Sequence, residues 1–124
     1  MSEMSLAERI RQELPHLAEA QVAELARVVQ RLVEHFQPER IYVFGSQARG
    51  EATPDSDVDL MIVLPETHSP YYRLAQEAYR VAGDYTLLPL EFIFIARDDF
   101  DRRAPAKASL PATVLREGKA LYAT

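Results

Sequence analysis

Two aspartates two residues apart, Asp57 and Asp59, stand at the head of an apolar run, Leu60-Met61-Ile62-Val63-Leu64, that Pro65 ends. A short apolar run bounded in this way reads as a strand over residues 57–64, buried on both faces. Side chains alternate along a strand, so residues two apart share a face and the two carboxylates point the same way. Like charges at that spacing repel, and an apolar sheet is a poor place for them. A divalent cation relieves the conflict. Mg²⁺ takes hard oxygen ligands, often one or two carboxylates together with substrate phosphates. Taken alone, the pair also fits two solvated aspartates in a turn that leads into a strand.

Upstream, Gly45-Ser46 follows another apolar run, Ile41-Tyr42-Val43-Phe44. Glycine allows backbone torsions that other residues avoid. Serine is a preferred N-cap, so Ser46 predicts a short helix through Gln47-Ala48-Arg49, closed by Gly50. The free backbone N–H groups and the Ser46 hydroxyl would then face an anion, with Arg49 adding charge. Gly-Ser by itself fits any strand–turn–helix.

The two motifs say more together, with residues 47–56 between Ser46 and Asp57. Gly45-Ser46-Gln47-Ala48-Arg49-Gly50-Glu51 followed by Ser56-Asp57-Val58-Asp59-Leu60 resembles the signature of the nucleotidyltransferase superfamily that includes DNA polymerase beta and kanamycin nucleotidyltransferase. The match is closer to the minimal nucleotidyltransferases, the MNT proteins, many of which are antitoxins encoded beside HEPN-domain toxins. The resemblance runs roughly from the second helix to the C-terminus. It implies nucleotidyl transfer, AMP from ATP, with two Mg²⁺ ions held by the acidic residues. Gly45, Ser46 and Arg49 would bind the phosphates.

The superfamily also carries a third carboxylate, usually Asp, on the strand beside the Asp-x-Asp strand. Here the run Leu88-Pro89-Leu90-Glu91-Phe92-Ile93-Phe94-Ile95 reads as a third strand, with Glu91 its only acid. Glu91 shares a face with Ile93 and Ile95. A buried unpaired carboxylate costs several kcal/mol or takes up a proton, whereas bound metal stabilises it. The resemblance therefore assigns Asp57, Asp59 and Glu91 as metal ligands and catalytic residues. Glu is one methylene longer than the usual Asp, and the other reading of Glu91 is an exposed strand edge.

The remaining elements must position these groups. Residues 5–13 read as a short helix interrupted by Pro15. A longer helix over 17–36 follows, with Val22, Leu25, Val29, Leu32 and Phe36 on one face as core. Pro38 ends it, and residues 40–44 form the first strand. Ser69 and Pro70 read as N-cap and first position of a helix over 70–82, with Gly83 at its C-cap. Its spacing turns Tyr72, Ala75, Ala78, Tyr79 and Ala82 inward; Tyr71 or Tyr72 serves either packing or stacking on a base. Residues 97–104 read as helical. Ser109 caps a last helix with Pro111 in its first turn and Gly118 after its end. Ala120-Leu121-Tyr122 reads as a final short strand or an extended tail. His16, His35 and His68 fall at element ends and read as solvated.

This order predicts an α/β fold with a small mixed sheet and helices mainly on one face, the nucleotidyltransferase (polymerase-beta-like) fold, in one domain spanning residues 1–124. The apolar fraction of 48% and charged fraction of 27% fit a soluble globular chain. There is no cysteine, which rules out disulfides and thiolate metal sites and fits the cytoplasm. No stretch approaches the roughly 18 uncharged apolar residues of a membrane span. Met1-Ser2-Glu3-Met4 lacks a signal-peptide layout. A net charge of −5 argues against nonspecific nucleic-acid binding, though not against a nucleotide whose charge is met by metal. Acidic residues gather around the motif at Glu51, Asp55, Asp57, Asp59 and Glu66. The last quarter is basic, with Arg97, Arg102, Arg103, Lys107, Arg116 and Lys119; these read as solvated surface or as a partner or phosphate contact.

The acceptor is not readable from the residues. Larger superfamily members add a helical domain that helps bind substrates, and no segment here corresponds to it. The MNT resemblance implies a partner instead: a HEPN ribonuclease toxin, modified by AMP on a tyrosine. The alternatives are a non-catalytic module that masks the toxin and a small-molecule nucleotidyltransferase of the aminoglycoside type. The intact aspartate pair disfavours the former, and the chain length disfavours the latter.

Overall fold

Residues 4–51, 56–83 and 88–124 are described by a computed structural model. Met1-Ser2-Glu3 and Asp55, considered above, lie outside them. The order of elements is α1 (Leu6–Glu13), α2 (Glu19–Phe36), β1 (Arg40–Phe44), α3 (Ser46–Arg49), β2 (Val58–Leu64), α4 (Tyr71–Ala82), β3 (Leu90–Ala96), α5 (Arg97–Arg103), α6 (Leu110–Glu117) and β4 (Lys119–Ala123).

The strands form one mixed sheet in the order β3-β2-β1-β4. β1 lies antiparallel to both β2 and β4, while β2 and β3 run parallel. Parallel neighbours need a crossover, and α4 supplies it. The final segment is thus a true edge strand, with an irregularity in its pairing between Ile41 and Tyr42.

Alternation along the strands sorts the core into two parts. Val58, Leu60, Ile62 and Leu64 of β2 join Ile41, Val43, Phe92 and Phe94 beneath α1, α2 and α4, where Ile10, Val22, Leu25, Val29, Leu32 and Ala78 are buried. The opposite face carries Phe44, Met61, Val63 and Ile95, capped by Phe100 of α5 and Val114 of α6. α1, α2 and α4 therefore cover one face, as the patterning implied, and α5 and α6 cover part of the other.

Local chemistry explains most of the boundaries. Ser5 Oγ accepts from the Glu8 N–H at 3.1 Å and the Ser5 N–H donates to Glu8, a capping box that starts α1. Ser109 caps α6 through the Ala112 N–H, with Pro111 in the first turn as expected. The expectation for α4 needs correction. Pro70 is its N-cap, Ser69 does not cap it, and the helix begins at Tyr71. That start turns Tyr71, Leu74, Ala78 and Ala82 inward and leaves Tyr72 63% and Tyr79 48% exposed. Both were expected to face the core. Tyr79 instead lies over the rim, its ring edge on Phe92 and its hydroxyl donating to the Leu90 carbonyl at 3.2 Å.

No helix among the described residues is long and apolar enough to cross a membrane.

Candidate active site

The parallel register of β2 and β3 places Asp59 directly beside Glu91, with Phe44 of β1 on the other side of Asp59. All three belong to the face that α5 and α6 only partly cover. β2 begins at Val58, so Asp57 sits one residue before the strand, where the Val58 N–H donates to the Pro89 carbonyl at 2.7 Å. One oxygen from each of Asp57, Asp59 and Glu91 lies within 4.8 Å of the others. Asp57 and Glu91 are exposed and Asp59 is partly buried. The edge position foreseen for Glu91 and its convergence on the aspartates are both real: β3 is one of the two edge strands, and its residue 91 is level with Asp59.

This cluster is electrostatically costly without a cation. The Asp59 carboxyl is pushed up from 3.8 to about 6, first by burial, then by its hydrogen bond with Glu91 and the charges of Glu91 and Asp57; Arg49 opposes the shift. Three oxygen donors of this kind, within reach of a common point and short of positive charge, fit a hard divalent cation. The shift has a consequence for stability. Between pH 3.8 and about 6 the folded chain holds a proton at Asp59 that the unfolded chain has lost. Its contribution therefore declines as pH rises through that window and is flat above it. In metal-free buffer Asp59→Asn is expected to melt above the wild type at pH 7, with the advantage shrinking towards about pH 4. Thermal melts of both proteins across that range check this; an offset independent of pH contradicts it.

The second motif supplies the wall opposite the carboxylates. β1 leads into Gly45, whose φ of 76° and ψ of −155° lie in a region essentially confined to glycine. Gly45, not Ser46, is the N-cap of α3, and Ser46 is the first residue of the helix. The reason is a close approach as well as a torsion. A Cβ at Gly45 would fall well inside van der Waals contact of Asp59 Oδ2 and 3.5 Å from Asp59 Cγ. Only a residue without a side chain lets the turn and the carboxylate meet. The N–H groups at the start of α3 have no intrahelical acceptors. Gly50 closes the helix at φ 72°.

Arg49 is nearby but committed elsewhere. It reaches Glu51 at 3.3 Å and Glu117 of α6 at 3.4 Å. Tyr71 is likewise engaged: its hydroxyl accepts from the Ala96 N–H at 3.1 Å and donates to Asp99, which also pairs with Arg102. Of Tyr71 and Tyr72, the latter is the one left available. It borders an open groove of about 240 Å³, lined in part by Met61, Ile93 and Arg103. Met61 and Ile93 follow Asp59 and Glu91 on the same strand faces, so the groove begins one pleat from the acids. A larger cavity of about 510 Å³ lies against β4 and contains none of these residues.

Two residues of the site's surroundings escaped the sequence reading. Gln47 of α3 is 4% exposed, and its side chain lies 2.7 Å from His16 Nε2 and 3.4 Å from the Ser56 carbonyl. A polar residue on a four-residue helix gives no periodic signal, and the apposition with His16 is purely tertiary.

Residues 24–118 match the family model described as "Nucleotidyltransferase domain". The protein adenylyltransferase MntA of Thermococcus cleftensis is 36% identical over 86 residues, which is 69% of this chain and 77% of that protein. Among solved structures, the toxin–antitoxin MntA-HpeT mutant shares the fold at 16% identity and a TM-score of 0.50, covering 78% of this chain and 71% of that one. A solved structure from Sulfolobus solfataricus, described as a "putative nucleotidyltransferase", aligns at 20% identity and a TM-score of 0.49 over 82% of each chain. The extent of the family match, and the identity to the archaeal adenylyltransferase, place this chain in the nucleotidyltransferase domain family.

Proposed function

We propose that the chain transfers AMP from ATP to a tyrosine of a HEPN-type ribonuclease toxin and so acts as its antitoxin. The observation that carries the catalytic part is the convergence of Asp57, Asp59 and Glu91 within 4.8 Å, level with a glycine turn that admits Asp59. The similarity to a protein adenylyltransferase supports protein as the acceptor class, and the MntA-HpeT pair supports a toxin partner.

Transfer forms a bond from the acceptor oxygen to the α-phosphorus and breaks the bond to the pyrophosphate oxygen. Asp57, Asp59 and Glu91 would hold two Mg²⁺ ions. When bound, these would supply positive charge for the departing pyrophosphate and lower the pKa of the acceptor hydroxyl. The Ser46 hydroxyl and the first N–H groups of α3 bind phosphate oxygens. Arg49 joins them by exchanging one carboxylate partner for phosphate. Tyr72, at the rim of the groove beside Ile93, is placed to meet the base or the acceptor segment. The acceptor must also be brought to within about 3–3.5 Å of reacting distance. The carboxylates stand on the partly covered face, which leaves room for a partner to deliver it.

ATP labelled separately at its α- and γ-phosphates tests the reaction. With the purified pair and Mg²⁺, α-label moves to the toxin and γ-label leaves as pyrophosphate. γ-Label on the toxin contradicts nucleotidyl transfer. Neutralisation without any labelling, surviving loss of both aspartates, points to a masking module.

Glu91→Gln keeps the size of the third ligand and removes its charge. The expected result is a rate at least about tenfold lower and a weakened Mg²⁺ dependence, as for loss of a metal ligand's charge. A near-normal rate assigns Glu91 to the strand edge alone.

A further inference from the structure

We infer that Gln47 and His16 form a positioning strut that sets the spacing between the phosphate turn and the metal-binding aspartates. The inference rests on the reading of Asp57, Asp59 and Glu91 as metal ligands.

Gln47 follows Ser46 directly, so its backbone moves with the turn. Its side-chain amide donates to the carbonyl of Ser56, the residue immediately before Asp57, at 3.4 Å. The two ends of the connection between the motifs are therefore tied to each other across the site. With Nε2 spent on Ser56, the Gln47 oxygen faces His16, 2.7 Å from its Nε2. His16 must then carry the proton on Nε2 and act as donor.

The strut spans three segments, the first well removed in sequence from the other two: the connection between α1 and α2, the turn after β1, and the approach to β2. Burial makes it consequential. Gln47 is 4% exposed, and a buried amide left without partners is destabilising. Met or Leu would fill the same space without that demand. What the amide adds over an apolar residue is direction, with one bond to each side of the site. Among the described residues neither Gln47 nor His16 bonds to the carboxylates, so both act through Ser56 and the turn, as positioning residues.

The test uses the full chain and Mn²⁺ alone, with affinity read by calorimetry and folding by thermal melts. Gln47→Met conserves volume and removes both bonds. The expected result is a cooperative melt with Mn²⁺ affinity about tenfold weaker, the low end of the effect of losing an outer-shell partner. His16→Leu is expected to weaken binding in the same direction. His16→Gln, which keeps a donor for Gln47, restores it. This surface series decides the matter if Gln47→Met fails to fold. Unchanged affinity in folded Gln47→Met, or equal affinity in His16→Leu and His16→Gln, overturns the strut and leaves the metal reading standing. A wild type that binds no Mn²⁺ overturns both.

Discussion

Asp57→Asn and Asp59→Asn are each expected to abolish nucleotidyl transfer while leaving the fold intact. Asn keeps the shape of Asp and removes the charge that a hard cation selects. Losing a metal ligand at this position should cost several kcal/mol of transition-state stabilisation; at 1.36 kcal/mol per decade, about 4 kcal/mol is roughly a thousandfold in rate. The fold should not suffer, because the carboxylates repel one another and Asp59 is held near pKa 6 by burial and Glu91. Asp59→Asn removes that strain, so it is expected to gain thermal stability at neutral pH in the absence of metal. Asp57, which is exposed and lies outside the strand, should gain less. Steady-state rates and melts of the two variants check both parts. A rate above about a tenth of the wild type would remove the aspartates from the reaction, since it corresponds to only about 1.4 kcal/mol.

Gly45→Ala is the second substitution with a large expected effect, and it reaches the same carboxylate from the opposite side. Two costs combine. The backbone at φ 76° and ψ −155° is essentially closed to other residues, and holding alanine there costs of order 1–3 kcal/mol. The new methyl also collides with Asp59 Oδ2. Asp59 can relieve the clash only by swinging away from Glu91, which dismantles the proposed ligand set, or β1 and β2 must part near Phe44. The expected outcome is a lower melting temperature together with loss of transfer and of Mn²⁺ binding. Gly50 gives the contrast. It also has positive φ, but a Cβ there meets nothing within 4 Å. Gly50→Ala should therefore cost stability by strain alone and retain metal affinity. If Gly45→Ala and Gly50→Ala bind Mn²⁺ equally well, the close approach of turn and carboxylate has no functional weight.

The parts of this site that were legible in the sequence are those governed by short-range rules. Strand alternation put Asp57 and Asp59 on one side, and a glycine before a short polar helix marked the turn. A single acid in an apolar run marked Glu91. The run of residues does not set the register between β2 and β3, which decides whether residue 91 stands beside residue 59 or one pleat away. That register comes from packing of the whole face, with Leu60 and Phe92 on the large core and Met61 and Ile93 on the small one. The capping rule misplaced the start of α3 because Ser46 is the better cap in isolation, while the contact with Asp59 demands a glycine at the bend. Similar reasoning misjudged α4. Ala75, Ala78 and Ala82 face the core as expected, but Tyr72 and Tyr79 do not, because Pro70 occupies the cap and Tyr71 is drawn inward by the Ala96 N–H and Asp99. His16 gave no signal at all beyond its place at a helix end.

Electrostatics give the proposed partner contact its sense. The acidic face, before metal binds, suits a basic surface such as that of an RNA-cleaving protein. On that proposal an added AMP would place a negative phosphate and steric bulk where RNA phosphate must bind, so the modification would itself inhibit.

Intact-mass spectrometry of a HEPN-type partner, after incubation with this chain, ATP and Mg²⁺, decides whether the carboxylate cluster is a nucleotidyl-transfer site acting on protein. A gain of AMP on the partner is expected with the wild type, mapping to a tyrosine, and none with Asp57→Asn or Asp59→Asn. An unchanged partner mass with the folded, Mg²⁺-loaded wild type, or the same gain with the aspartate variants, would contradict it.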